Sequence, residues 1–133
     1  MEFVIMVGLS SSGKTMYSKS HYHDYERISL DEIKNHSRSL ESKLIEEKLR
    51  NGKNIIVDDT NLSKKIRSQH ITLAKKYGAR ITAIHLQTSI GLIKTRNWRK
   101  HPPLPDKAIN KMISQLEIPT EEEGFDQLIS VEQ

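Results

Sequence analysis

Eight residues, Gly8-Leu-Ser-Ser-Ser-Gly13-Lys14-Thr15, fit the pattern GxxxxGK[ST] and directly follow the apolar run Phe3-Val-Ile-Met-Val7. A strand, a glycine-spaced loop and a helix start in that order build a phosphate cradle. The glycines let backbone N–H groups at Gly8, Ser10, Ser11, Ser12 and Gly13 converge on a phosphate, and the following helix adds the positive end of its dipole. Lys14 would reach the β- and γ-phosphates of a nucleoside triphosphate, and Thr15 would offer its hydroxyl to Mg²⁺. A plain Ser/Gly turn would leave the fixed Gly-Lys-Thr ending without a reason.

Two acidic positions stand where such a cradle needs them. Asp31 follows a short strand over residues 26–30. In parallel α/β sheets ligands gather at the carboxyl ends of strands, where a carboxylate can take the proton of an attacking hydroxyl. Ser29-Leu30-Asp31-Glu32 also fits the capping box SxxE, which would make Asp31 an ordinary first-turn acid of a helix capped by Ser29. The second apolar strand, Asn54-Ile-Ile-Val-Asp58, ends in Asp58-Asp59-Thr60-Asn61. An acid at the tip of an apolar strand is the Walker B arrangement, which holds Mg²⁺ or its waters. Strand alternation would turn Asp58 and Asp59 to opposite sides, so one of them, not both, serves the metal. Arg96 and Arg99 lie near the end of a helix that gives way to His101-Pro-Pro-Leu-Pro105, as a lid over phosphates requires. Either arginine would neutralise charge on a transferring phosphoryl group, or would simply cap the helix C-terminus.

The elements that must position these groups alternate along the chain. Helices are expected over residues 14–20, 36–51, 63–77, 90–98 and 106–116, and strands over 3–7, 26–30, 54–58, 80–86 and 128–131. Leu40, Leu44, Ile45 and Leu49 share one helical stripe, as do Ile66, His70, Leu73, Ala74 and Tyr77. His70 is expected as a hydrogen-bonded core residue, and Lys64, Lys65, Arg67, Lys75 and Lys76 as a solvated face. Ile109, Met112, Ile113 and Leu116 should turn inward, and Trp98 should pack beneath the lid. Thr120-Glu-Glu-Glu123 is a second capping-box match. Strands alternating with helices give an α/β fold of the phosphate-loop type: a mostly parallel sheet, helices on both faces and an arginine-bearing lid.

The 133 residues, 35% of them hydrophobic, suit one domain spanning 1–133 with a single core. The absence of cysteine removes disulfides and thiolate metal sites, and the six histidines show no metal-ligand spacing. The first apolar run is too short for a membrane span and lacks the basic start of a signal peptide, so no membrane partner is expected and cytoplasm is the simple location. A formal charge of +4 suits a polyanionic substrate as well as many ordinary proteins.

Taken together, Gly8 to Thr15, Ser29 to Lys34, Val57 to Asn61, Arg96 to Pro105 and Pro119-Thr-Glu-Glu-Glu-Gly-Phe-Asp126 resemble the polynucleotide 5′-hydroxyl kinases of phages and of animal DNA repair. The resemblance spans nearly the whole chain, and the Asp-Thr-Asn strand ending and the Pro-Thr-x-x-Glu-Gly-Phe tail are its more restrictive parts. It implies ATP and Mg²⁺ as cofactors, Asp31 as general base, Arg96 or Arg99 on the donor phosphates, and Lys34, Thr60 and Asn61 on the acceptor side. The implied reaction moves the γ-phosphate of ATP to the 5′-OH end of DNA or RNA. The family usually has Arg just before the catalytic Asp and another three residues after it, where this chain has Leu30 and Lys34. The phosphatase and ligase domains that often accompany such kinases are not in this sequence, so it would act alone or with separate partners. Two alternatives are a related kinase whose acceptor is a small metabolite or an aminoacyl-tRNA hydroxyl, and a non-catalytic nucleotide-binding module.

Overall fold

The computed structural model describes residues 1–133. Its element order is β1 (Glu2–Val7), α1 (Lys14–His21), β2 (Glu26–Ile28), α2 (Arg38–Arg50), β3 (Ile55–Val57), α3 (Lys64–Lys76), β4 (Arg80–Gln87), α4 (Ile90–Trp98), α5 (Asp106–Gln115) and β5 (Gln127–Glu132). The five strands form one sheet in the order β2-β3-β1-β4-β5, and every neighbouring pair is parallel. The expected "mostly parallel" sheet is therefore wholly parallel.

Strand alternation explains how this sheet is covered. Phe3, Ile5 and Val7 point to one face, where they pack with Ile45 and Leu49 of α2 and Ile71 and Ala74 of α3. Val4 and Met6 point to the other, toward Tyr17 of α1 and Tyr22 and Tyr25 beyond it. A strand buried on both faces has no polar side to show, which is why β1 and β3 read as unbroken apolar runs. Each fully buried aliphatic side chain contributes about 1.5–3 kcal/mol, and every residue of Phe3–Val7 and Ile55–Val57 is buried. A third cluster forms over the carboxyl end of the sheet, where Leu9 and Leu62 meet Ile93 of α4 and Ile109 of α5. The lid helices are thereby seated on the loops that follow β1 and β3.

The topology fixes where a ligand binds. From β1 the chain crosses over β3 to reach β2, whereas from β3 it crosses over β1 to reach β4. Their connections leave in opposite directions, so a crevice opens between the loops after these two adjacent strands.

One element differs from expectation. Strand β2 stops at Ile28, and no helix grows from Ser29; two short 3₁₀ turns, Leu30–Glu32 and Lys34–His36, precede α2. Ser29 is buried and its side chain caps nothing. The Asp59 carboxylate takes the Leu30 N–H at 2.7 Å instead, and Glu32 is drawn to Arg27 at 2.8 Å, so neither arm of the capping box closes. Asn35 and His36 then adopt left-handed backbone (φ 58° and 48°), which ends any helical run before Ser37 caps α2 through Leu40 N–H.

Candidate active site

The phosphate loop is held by its carbonyls. Ser12 N–H and Lys14 Nζ both donate to Leu9 O, Thr88 Oγ1 donates to Ser12 O at 2.8 Å, and Arg96 Nη1 donates to Ser11 O at 3.4 Å. Gly8 N–H bonds Thr60 O, which joins the loop after β1 to the loop after β3. A Cβ on Gly8 would come within 2.8 Å of Ser12 Oγ, and Gly13 sits at φ 99° before α1; both positions need glycine. With the carbonyls engaged, the amides of Lys14, Thr15 and Met16 bond no backbone acceptor, and the buried hydroxyls of Ser11 and Ser12 have no partner. That is a donor-rich pocket at a helix N-terminus, and it fits a phosphate group.

Lys14 is only 9% exposed, and burial pushes its ammonium down to about 8, with Asp58 pulling the other way. Thr15 Oγ1 donates to Asp58 Oδ2 at 2.9 Å. The same carboxylate oxygen accepts from Arg27 Nε at 2.8 Å, and Arg27 also reaches Glu32, whose carboxyl it holds below the usual carboxylate range. Asp58 Oδ1 takes part in none of these bonds. A hydroxyl and a carboxylate side by side are hard oxygen donors, and the pair fits Mg²⁺.

Asp58 and Asp59 diverge, although β3 ends at Val57 and both acids lie past it, beyond the reach of strand alternation. Asp59 turns away toward Leu30 N–H, Arg38 at 3.7 Å, and the buried pair Glu41 and His70. Glu41 is pushed up to about 8, first by burial and then by the neighbouring Asp59 carboxylate, while burial drives His70 down to about 4. His70 is buried as expected, yet neither ring nitrogen has a hydrogen-bond partner.

A cleft of about 430 Å³ runs over these loops, and its lining brings together Ser10, Ser11, Gly13, Lys14, Thr15, Asp31, Asp58, Asp59 and Thr60. Six residues expected at the site are not in its lining, among them Gly8 and the wholly buried Ser12, which shape the loop from within. Asn61 is wholly buried and donates Nδ2 to Met6 O at 2.7 Å, so it props the loop from behind and offers nothing to an acceptor. Lys34 is exposed on its 3₁₀ turn, outside the cleft. Arg96 faces the back of the phosphate loop, shared between Ser11 O and Gln133, and Arg99 is exposed at the C-cap of α4. Trp98 is 73% exposed and does not pack beneath the lid. The bend after it is tied by Asn97, whose amide donates to Leu104 O at 2.7 Å while its oxygen accepts from Leu104 N–H at 3.0 Å.

Three cations at the site escaped the sequence reading. Arg27 pairs with Asp58, Lys100 reaches Ser10 Oγ at 3.3 Å, and Arg38 lines the cleft beside Asp31. Arg27 and Arg38 flank Asp31 closely in the chain without a motif of their own, and Lys100 belongs to the same basic stretch as Arg96 and Arg99. Arg67 had a signal: positions 67, 70, 71 and 74 share one face of α3. Far from being solvated, it is fully buried, bidentate to Glu123 (2.8 and 3.1 Å) and bonded to Asn61 O and Leu62 O. The Pro-Thr-x-x-Glu-Gly-Phe tail thus fastens the loop after β3, with Glu123 Oε2 also accepting Thr120 N–H. No helix is long and apolar enough to cross a membrane.

Comparison with known proteins agrees with this geometry. A family model described as an AAA domain matches residues 34–119. The bifunctional polynucleotide phosphatase/kinase of Schizosaccharomyces pombe is 33% identical over 131 residues, covering 93% of this chain and 32% of the relative. The L-seryl-tRNA(Sec) kinase of Methanococcus maripaludis is 25% identical over 141 residues, covering 92% of this chain and 55% of that one. The chain spans about a third of the first relative's length and about half of the second's. In fold it is similar to Kti12 of Chaetomium thermophilum, solved in complex with ADP-AlF3, with a TM-score of 0.72 at 17% identity over 98% of this chain and 88% of that one. The parallel sheet, the phosphate loop and these relatives agree: the chain belongs to the AAA-domain family, as a phosphate-loop kinase domain related to the polynucleotide kinases.

Proposed function

We propose that this domain transfers the γ-phosphate of ATP to the 5′-OH end of DNA or RNA. The observation that carries the reading is the shared cleft: Asp31, a carboxylate with no helix-capping task, faces the same space as the phosphate loop and the Thr15–Asp58 pair. The similarity to a polynucleotide phosphatase/kinase supports a nucleic-acid acceptor.

The chain's own groups divide the work. Backbone amides of the loop and Lys14 bind the β- and γ-phosphates of ATP. Asp31 orients the acceptor hydroxyl and takes its proton as the new O–P bond forms and the bond to the ADP oxygen breaks. Lys14 and Lys100, both in the cleft lining, balance the charge on the phosphoryl group in transit, while Arg96 braces the loop through Ser11 O. Thr15 and Asp58 would hold Mg²⁺ directly or through water. When bound, the ion would supply positive charge to offset that of the phosphates. A cytoplasmic setting and action beside separate phosphatase or ligase partners belong to the same reading.

The similarity to L-seryl-tRNA(Sec) kinase supports a second reading, in which the acceptor hydroxyl belongs to an aminoacylated tRNA. One assay separates them: labelled γ-phosphate of ATP with Mg²⁺, offered to 5′-OH oligonucleotides, to the same oligonucleotides already bearing a 5′-phosphate, and to seryl-tRNA. Label is expected on the 5′-OH ends alone. Label on seryl-tRNA alone would replace the first reading with the second.

A further inference from the structure

The positive balance of the chain sits on its lid. Residues 94–111 hold six lysines and arginines against one acid, Asp106, whereas the rest of the chain holds fifteen against sixteen. Charge gathered in this way raises the local concentration of a polyanion, and by itself it would equally suit a solvated helix face. The lid adds an aromatic ring among the cations. Trp98 is 73% exposed, and Arg99, Lys100 and His101 follow it, all of them exposed.

Trp98 stands at the edge of a hollow that is already shaped. A space of about 350 Å³ is lined by Asn97, Trp98, Pro103, Leu104, Pro105 and Asp106. The two bonds between Asn97 and Leu104 hold this bend, so an indole and two proline rings border the space without first having to be ordered. Leu104 also lines the cleft that contains Asp31, so hollow and cleft adjoin. The donor side lies in another direction. Arg96 and Lys100 both reach the phosphate loop, at Ser11 O and Ser10 Oγ, whereas Trp98, two residues after Arg96, is turned about 200° from it around α4. Helix α5 extends the charge beyond the bend, with Lys107 and Lys111 exposed on one face.

Resting on the reading above, we propose that the hollow at Trp98 stacks a base of the single-stranded acceptor, inward of its 5′-OH end, while Arg99, Lys107 and Lys111 pair with its backbone phosphates. Every nucleobase has a π-face, so such a slot tolerates any sequence, and the surrounding cations track the strand by its charge. The hollow then adds affinity for a strand without touching the reacting atoms.

Trp98 is the only tryptophan, so its fluorescence reads the contact directly. In the absence of ATP, a single-stranded 5′-OH oligonucleotide should quench it saturably, and less so at high salt. By anisotropy of a labelled strand, W98A should bind about tenfold more weakly, within the range for losing one base–aromatic stack, and W98F should recover part of the loss. In transfer assays the same loss should appear in KM for the oligonucleotide and not in KM for a nucleoside 3′-monophosphate, which has no second base to place in the hollow. Unchanged strand affinity in folded W98A, or an equal rise in KM for both acceptors, would overturn the slot, while continued transfer to 5′-OH ends would leave the reading above intact. Quenching by ATP alone would give the indole to the donor base, and a signal that shifted with protein concentration alone would give it to a second copy of the chain; either overturns the assignment. Wild type that neither binds nor phosphorylates the oligonucleotide would overturn the reading itself, and the slot with it.

Discussion

The two walls of the cleft are built in opposite ways. On the donor side, residues 8–15 are contiguous, and their carbonyls are tied to Thr88, Arg96 and Lys14 itself. The Thr15–Asp58 pair beside them is held by the half-buried Arg27 at 2.8 Å. On the acceptor side, residues 30–37 form two short 3₁₀ turns with left-handed Asn35 and His36 between them. They are tied to the sheet by Leu30 N–H on Asp59, by Arg27 on Glu32 at 2.8 Å and by Ile33 packed on the core. Under the proposed reaction, the wall tied through its carbonyls would hold ATP, and the opposite wall, held mainly by side chains, would set the acceptor.

The largest expected effect breaks the donor wall. Lys14→Ala should lower phosphoryl transfer by roughly three orders of magnitude, in the range for losing one preorganised charge at the transition state. The fold-loss should be the same for every acceptor in single-turnover assays; a loss that varied with the acceptor would mean the two walls are not separate. Asp31→Asn comes next, with transfer down by about two orders of magnitude and ATP binding, followed by calorimetry, retained. Normal transfer by that variant would reduce Asp31 to a turn residue.

The smallest effect concerns the floor under the acceptor wall. Glu41 keeps its proton in the fold up to about 8, against an ordinary 4.5, because burial and Asp59 oppose its charge. Its contribution to stability is full below about 4.5 and is lost as pH rises toward 8, since only the unfolded chain releases the proton. His70, pushed down to about 4 by burial, has the reverse sign: its contribution is present above 6.5 and is lost as pH falls toward 4. Glu41→Gln should remove the decline between pH 5 and 8 in urea denaturation curves while leaving the acid-side loss in place. Retention of the full decline in that variant would exclude Glu41 as its source.

How far the sequence revealed this follows the same division. The phosphate loop and the acid after β3 were legible because their parts are adjacent in the chain, whereas alternation was no guide to Asp58 and Asp59, since β3 ends at Val57. Arg27, Arg38 and Lys100 were not singled out as site residues, since only the folded loops turn them into one cleft. Ser29-Leu30-Asp31-Glu32 misled because both arms of its capping box had stronger partners elsewhere, in Asp59 and Arg27. No glycine marks the left-handed turns at Ser11, Asn35, His36 and Asn61, and the tolerance of asparagine for that backbone was the one weak signal, at Asn35 and Asn61. Arg67 was assigned to solvent by its charge, although its register placed it on the buried stripe. Charge predicts exposure only where no buried acid such as Glu123 waits for it.

The paired bonds between Asn97 and Leu104 set how the lid can move. They fasten the end of α4 to the residues just before α5, so the bend between them is already folded. A lid that had to order itself over each nucleotide would lose backbone entropy in every cycle, about 1–2 kcal/mol for each residue fixed. A pre-tied bend swings as one piece, and the rate of its closing is then governed by hinges at its two ends and not by a search among loop conformations.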